Sequence, residues 1–324
     1  MSTNTYQVIR THLSPYQGMD FTQLEQMALS QFKNLVYRKL EDFKPDLPVI
    51  LITNTHTQLS QFDSTILNPT KLILHPNSGY DNFAQDISLI KNIPVIIGHE
   101  IRAQAVAEYS LAALFQGLAE LPQHLTWNSS RRWDRLLIKN LPIWIIGYGH
   151  IGKIISQTLH NLGASLTIID PYQNSPYRHF KTLDESYGLD QAKVIIACCG
   201  LNRQTKHLFS EGFFKKCATE VLFINPARGK LVHEGALRNF LAHNPNAFAF
   251  LDVFEHEPFG TEWHHHPQVW KTSHIAGVYK DLDQGIINFE VKVLNDFFTI
   301  QKDDFLKKYH HELLHNKYHS GELI

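Results

Sequence analysis

Eight short apolar, β-branched runs recur along the chain with helical segments between them: "LPVILITN" (47–54), "TKLILHP" (70–76), "IPVIIGH" (93–99), "LPIWIIG" (141–147), "SLTIID" (165–170), "KVIIACC" (193–199), "EVLFIN" (220–225) and "AFAFLDV" (247–253). Runs of this kind suit strands buried on both faces, and their alternation with helices is the pattern of parallel sheets covered by helices. Three runs precede residue 100 and five follow residue 140. Between them, "QAVAEYSLAALFQGLA" (104–119) is rich in Ala and Leu and reads as a helix, and the stretch 122–135 turns polar with no strand pattern. Two α/β units joined near residue 104 are therefore expected, in keeping with 324 residues and a prior of roughly one domain per 150.

From about residue 279 the chain reads as helical, with no strand pattern. Its first segment places Ile286, Ile287, Val291, Val293, Leu294 and Phe297 on a face that must pack on something, which fits a return to the first unit. His311 and His315 are spaced i,i+4 on an expected helix.

Composition narrows the partners. Thirty Lys and Arg stand against 31 Asp and Glu, a formal net charge of -1, so no basic surface points to nucleic acid or an anionic membrane. Cys198, Cys199 and Cys217 lack CxxC spacing, and no apolar run approaches the roughly 18 residues of a membrane span. A cytoplasmic protein acting on a small molecule is expected. The run His264–His266 invites a metal, yet three consecutive histidines on an extended chain cannot face one ion, and no metal site is expected.

"GYGHIG" (147–152) follows one of these strand patterns and opens a helix with Ile151, Ile154, Ile155, Leu159 and Leu162 on one face, ended by Gly163. In such a turn Gly147 permits the tight bend, Gly149 lets a pyrophosphate approach the backbone, and Gly152 lets the helix pack close to its strand. The next strand ends in Asp170, 18 residues past Gly152, where a carboxylate can accept from both hydroxyls of an adenosine ribose and repel a 2′-phosphate. NAD is the expected cofactor. The plainer reading, that Asp170 caps the "DPY" turn, stands beside it.

Ligands of such sheets bind beyond the carboxyl ends of the strands. There "FINPARGKLV" supplies Asn225 and Arg228, "FAFLDVFEHEP" supplies Asp252, Glu255 and Glu257, and "VWKTSHIAG" supplies His274. A guanidinium can grip a carboxylate with two parallel hydrogen bonds, and an imidazolium can protonate a carbonyl as hydride arrives. The set suits hydride transfer to a 2-oxo acid, although each residue taken alone could be a turn or cap.

"GYGHIG" with Asp170, then "INPARGKLVHEGAL", "LDVFEHEP" and "SHIAG", in this order, resemble the D-isomer-specific 2-hydroxyacid dehydrogenase family; "SGYDNF" (78–83), "AVAEYSL" (105–111) and "CCGLNRQTKHLFS" (198–210) extend the likeness. The resemblance implies two Rossmann-like or flavodoxin-like domains with the active site in the cleft between them. Residues 1–103 and 279–324 would form a discontinuous substrate domain and 104–278 the NAD-binding domain. It implies that Arg228 binds the substrate carboxylate and carbonyl, that Glu257 pairs with the acid/base His274, and that Asp252 hydrogen-bonds the nicotinamide carboxamide. Backbone amides of Ser78 and Gly79 would bind the substrate carboxylate. The cofactor contacts it implies also include His150, Ile151, Cys199, Gly200, Thr205, Pro226, Ala227 and Gly277. A homodimer built through the helix near Ala105 is expected. The family usually has Pro before the imidazole, where Ser273 stands here, and often a proline where Gly200 stands. Glu257 occupies the slot that is Gln in formate dehydrogenases of this superfamily, against formate as substrate. A second reading is an NAD(H)-sensing interaction protein resembling the family's corepressors.

Overall fold

The computed structural model describes residues 5–119, 126–130, 135–319 and 322–323. Most of the polar stretch 122–135 lies outside the described residues. The chain divides into two compact units, Met1–Arg102 with Val278–Ile324, and Ala103–Gly277.

In the first unit, β1 (Tyr6–Arg10), β2 (Leu35–Arg38), β3 (Val49–Ile52), β4 (Thr70–His75) and β5 (Val95–Ile97) form a parallel sheet in the order β2-β1-β3-β4-β5. Val49–Ile52 and Val95–Ile97 are buried throughout, as the continuous apolar runs require. Each fully buried Ile or Leu contributes roughly 1.5–3 kcal/mol by leaving water. Helices α1 (Phe21–Leu29) and α2 (Ser64–Leu67) belong to this unit, and α3 (His99–Ala119) contains the boundary.

The second unit holds β6 (Pro142–Ile146), β7 (Ser165–Ile169), β8 (Arg178–Phe180), β9 (Val194–Ala197), β10 (Leu222–Asn225), β11 (Phe248–Leu251) and β12 (Val269–Lys271) in one parallel sheet. Its order is β12-β11-β10-β9-β6-β7-β8, the doubly wound arrangement whose switch point lies between β6 and β9. Helices α4 (His150–Asn161), α5 (Glu211–Phe214) and α6 (Glu234–His243) are part of this unit. Apolar clusters pack around the sheet, one with Trp144, Phe209 and Trp263 and another with Ile143, Ile155 and Ile168.

Helices α7 (Leu282–Thr299) and α8 (Lys302–Lys308) complete the first unit. α7 buries Ile286, Ile287, Val293 and Leu294 against Val8, Phe21 and Ile50. Val291 and Phe297 are only partly buried, while Glu290 is fully buried.

The expected fold class is present, with more strands than the apolar runs announce. β1 was not among those runs because it carries Gln7 and Arg10, polar residues whose burial depends on distant partners. Gln7 is fully buried and donates to Lys44 O at 2.5 Å and Leu47 O at 3.1 Å. β2, β8 and β12 sit at sheet edges and are partly exposed, so they lack the apolar run of a central strand. The tail is also not wholly helical: β13 (Tyr318–His319) and β14 (Glu322–Leu323) pair antiparallel. α8 ends at Lys308, so His311 and His315 share no α-helix, and His315 Nε2 lies 3.1 Å from Ile90 O.

Candidate active site

The glycine turn leaves β6 at the switch point. Gly147 has φ +104°, and a Cβ there would lie 2.5 Å from Cys198 C and Cys199 N, so the turn and its closeness to the end of β9 both require glycine. Gly149 precedes α4 and provides no side-chain cap, no acidic residue follows in the first turn, and a Cβ on Gly149 would meet nothing within 4 Å. An open backbone concavity at a positive helix end fits a pyrophosphate. His150, Ile151 and the buried Gly152 form the helix's first turn.

Asp170 is 8% exposed and flanks this turn. One carboxylate oxygen accepts from Tyr148 N at 2.7 Å; the other accepts from Tyr172 N at 2.8 Å and Gln173 N at 2.7 Å. It therefore ties the glycine turn to the "DPY" turn, as the plainer reading has it. In the next loop the Thr205 hydroxyl donates to Gly200 O at 2.8 Å, so it braces the chain around Cys199 and Gly200. Burial pushes the Cys199 thiol up to about 12 and raises Cys198 as well, which leaves both protonated and unreactive at neutral pH.

Two more strand ends meet beside it. Buried Asn225 accepts from Ala227 N at 3.1 Å and donates to Arg228 O at 3.0 Å, shaping the turn Pro226–Ala227–Arg228. The half-buried Arg228 donates through Nη1 to Ala227 O at 2.8 Å. A Cβ on Gly229 would lie 1.8 Å from Phe254 C and O, so glycine alone lets this loop lie against the one that carries Glu257.

Glu257 Oε1 accepts from Phe254 N at 3.1 Å, and Oε2 lies 2.8 Å from His274 Nδ1. Burial acts to raise the Glu257 carboxyl, but the His274 hydrogen bond and charge, the Phe254 amide and the charge of Arg228 outweigh it and hold it below the usual carboxylate range. An ionised carboxylate only accepts, so Nδ1 carries the proton and Nε2 is left for chemistry.

His274 itself has φ +59°, a left-handed conformation that costs a residue with a Cβ about 1–2 kcal/mol. Asp252, 1% exposed, holds it there. Its backbone oxygen accepts from His274 N at 2.8 Å, one side-chain oxygen from Thr272 Oγ1 at 2.6 Å and Ile275 N at 2.8 Å, and the other from Ala276 N at 2.8 Å. Gly277 ends the unit just beyond.

Residues 111–276, about half of the chain, match the family model of the D-isomer specific 2-hydroxyacid dehydrogenase NAD binding domain. The chain belongs to this family. It is 26% identical over 271 residues to the D-3-phosphoglycerate dehydrogenase of Bacillus subtilis, covering 80% of this chain and 51% of that protein. The chain thus spans about half the length of that relative. It is 24% identical over 254 residues to a D-lactate dehydrogenase of Staphylococcus aureus (strain MRSA252), covering 69% and 76%. The fold resembles the crystal structure of D-lactate dehydrogenase from Aquifex aeolicus complexed with NAD and lactic acid, with TM-score 0.72 and 19% identity over 95% of this chain and 98% of that one.

Each unit holds further contacts of its own around the expected residues. Glu255, grouped above with the other carboxylates, pairs with His207 at 2.7 Å instead of with His274. Tyr109 on α3 lies 2.7 Å from Thr272 Oγ1. Because Thr272 donates its one hydroxyl proton to the Asp252 carboxylate, Tyr109 must be the donor to Thr272. Burial, with Asp252's charge, raises the Tyr109 phenol and keeps that proton in place. In the first unit, Ser78 and Gly79 follow β4, and Gly79 O accepts from Nε2 of buried His75 at 2.8 Å. A tyrosine in an Ala-rich helix and a histidine ending a strand read as ordinary core residues until their distant partners are known.

Proposed function

We propose that the protein reduces a small 2-oxo acid to the D-2-hydroxy acid with NADH, and runs the reverse reaction with NAD. The observation that carries this reading is the 2.8 Å contact of His274 Nδ1 with a Glu257 carboxylate held ionised, beside Arg228. When bound, the reduced nicotinamide supplies the hydride. Arg228 grips the substrate carboxylate with its planar fork and fixes the carbonyl. The amides of Ser78 and Gly79 contribute further donors to that carboxylate. His274, protonated and oriented through Nδ1 by Glu257, gives the Nε2 proton to the carbonyl oxygen as the carbon accepts hydride; in the reverse direction neutral Nε2 takes the hydroxyl proton. Asp252 holds the loop that carries the imidazole, and the family resemblance would add a contact to the nicotinamide carboxamide.

Asp170 favours NADH over NADPH, since a 2′-phosphate would face its carboxylate. The reading includes a homodimer built through α3 and a cytoplasmic location. Its test is the loss of NADH absorbance with glyoxylate, hydroxypyruvate and pyruvate, alongside NADH binding by fluorescence. Turnover of at least one acid is expected. Tight NADH binding with no acid reduced would replace the reading by an NAD(H)-sensing protein.

A further inference from the structure

The loop that carries Glu257 is held from outside by groups that the acid/base pair itself does not use. Glu234, the first residue of α6, turns both carboxylate oxygens to it: Oε1 accepts from Glu255 N at 2.7 Å and Oε2 from Trp263 Nε1 at 3.0 Å. The segment 255–263, with Glu257 inside it, is thus pinned at both ends by one side chain. The Glu255 carboxylate in turn lies 2.7 Å from His207 Nε2. The His207 and Glu255 side chains are 32% and 25% exposed, so water screens the pair only in part. Burial acts to raise the Glu255 carboxyl, but the bond and charge of His207, with the charges of His233 and His256, hold it below the usual carboxylate range. An ionised carboxylate only accepts, so His207 Nε2 is the donor.

His207 is set in place by its backbone. It has φ +53°, a left-handed conformation uncommon for a residue with a Cβ, and its N–H donates to Lys230 O at 2.9 Å, two residues past Arg228. Phe209 N donates to Leu231 O at 3.0 Å, which stitches the segment to the stretch that follows Arg228. The His233 ring packs edge-on against His207 at 5.2 Å while its Nδ1 caps α6 by accepting from Ala236 N at 3.1 Å. Thr205, two residues before His207, braces Gly200. The loops that carry Gly200, Arg228 and Glu257 therefore converge on one imidazole, and all of them belong to the second unit. A residue held in a conformation it disfavours marks a place where side-chain direction matters.

We infer that the His207–Glu255 pair is a tether that fixes the Glu257 carboxylate on His274, which makes His207 and Glu255 positioning residues for the proposed hydride-transfer reaction. The inference rests on the Glu257–His274 pair of that reading and adds a second histidine–carboxylate pair that acts through the backbone of residues 254–257. A displacement of about 1 Å at a reacting group can cost about 100-fold, so a small shift of this loop is enough to be read in kcat.

Two substitutions separate the contact from the backbone. Asparagine tolerates the left-handed conformation but is too short to reach Glu255, whereas glutamine carries an amide NH2 out to where the imidazole Nε2 stands. His207→Asn is expected to lower kcat for the 2-oxo acid about tenfold, with NADH affinity, the KM of the acid and the melting temperature little changed. His207→Gln should recover most of that loss. Glu255→Gln weakens the pair from the other side, and its effect should not add to that of His207→Asn. Both effects should shrink below about twofold in a Glu257→Gln background, where the tether has no carboxylate left to aim. Nitrogen NMR of histidine-labelled protein, with the His274 signals assigned by their loss in His274→Gln, reads the aim without turnover. The neutral imidazole should carry its proton on Nδ1 in wild type and shift it toward Nε2 in His207→Asn. That shift supports the tether even if no acid is reduced. An unchanged tautomer and unchanged kcat in His207→Asn and Glu255→Gln overturn it and leave the proposed function standing. A loss just as large in the Glu257→Gln background also overturns it. So does a loss that glutamine fails to recover and that comes with weaker NADH binding and a lowered melting temperature, since His207 is then a brace of the scaffold.

Discussion

Glu257→Gln keeps the shape of the side chain and removes its charge, which makes it the sharpest test of the proposed dyad. The carboxylate serves two donors, His274 Nδ1 at 2.8 Å and Phe254 N at 3.1 Å. A glutamine has one acceptor oxygen for the two and turns an NH2 group toward the other. Unit charges about 4 Å apart interact by roughly 1 kcal/mol in water and about 4 kcal/mol at an effective dielectric of 20. The side chains are 51% and 38% exposed, so the smaller figure applies. Taken with the weakened hydrogen bond, the loss is about 2 kcal/mol, or roughly 30-fold in kcat/KM for the 2-oxo acid. The pH dependence has a definite sign. Glu257 is held below its ordinary value, so its contribution is complete above about pH 4.3 and is lost as the pH falls through the lowered value. Wild type should therefore show the acid-side loss due to this residue only below about pH 4.3, and the variant should show no such step. Single-turnover NADH oxidation between about pH 3 and 9 with NADH saturating, paired with NADH titrations, makes the measurement. A change under about threefold, or an equal weakening of NADH binding, would refute the dyad.

Arg228→Lys retains the charge and loses the fork, so kcat/KM for the acid should fall by about 100-fold with little change in NADH affinity; near-normal turnover means a structural arginine. Tyr109→Phe removes one neutral hydrogen bond behind Thr272, about 1 kcal/mol, so kcat should drop roughly fivefold at unchanged NADH affinity. Its effect should not add to that of Thr272→Val, and full additivity in the double variant counts against the relay. NADH should be preferred over NADPH because Asp170 holds its carboxylate at the glycine turn, and equal kcat/KM for both cofactors defeats that argument. Burial, opposed by Arg10 and reinforced by Glu25, raises the Glu290 carboxyl well above its ordinary value, so its stabilising proton is fully held below about pH 4.3 and lost as pH rises through the raised value. Glu290→Gln should flatten the fall of melting temperature at neutral and alkaline pH, and an unchanged slope by calorimetry excludes a protonated Glu290.

What the sequence displays and what it hides divide along a physical line. Central strands such as Val49–Ile52 and Val194–Ala197 are legible because burial on both faces demands an unbroken apolar run. The glycine turn is legible because Gly147 answers a local demand, a positive φ pressed against the neighbouring strand end. Glu257 and His274 stand in recognisable motifs, and their 2.8 Å contact is present. Residues whose character depends on a remote partner are hidden. Tyr109 meets Thr272 across 163 positions, and Arg10 meets Glu290 across 280. No local pattern names either partner. Asp252 shows the same limit within the site: the "LDVFEHEP" motif marks it, but only the fold reveals that both its oxygens are occupied by the loop of residues 272–276. Those bonds hold His274 in a left-handed conformation that its own side chain disfavours. The imidazole's aim is thus set from behind. Changes at Asp252, Thr272 or Tyr109 should act on kcat through the orientation of His274, whereas changes at Arg228 should act on the grip of the acid.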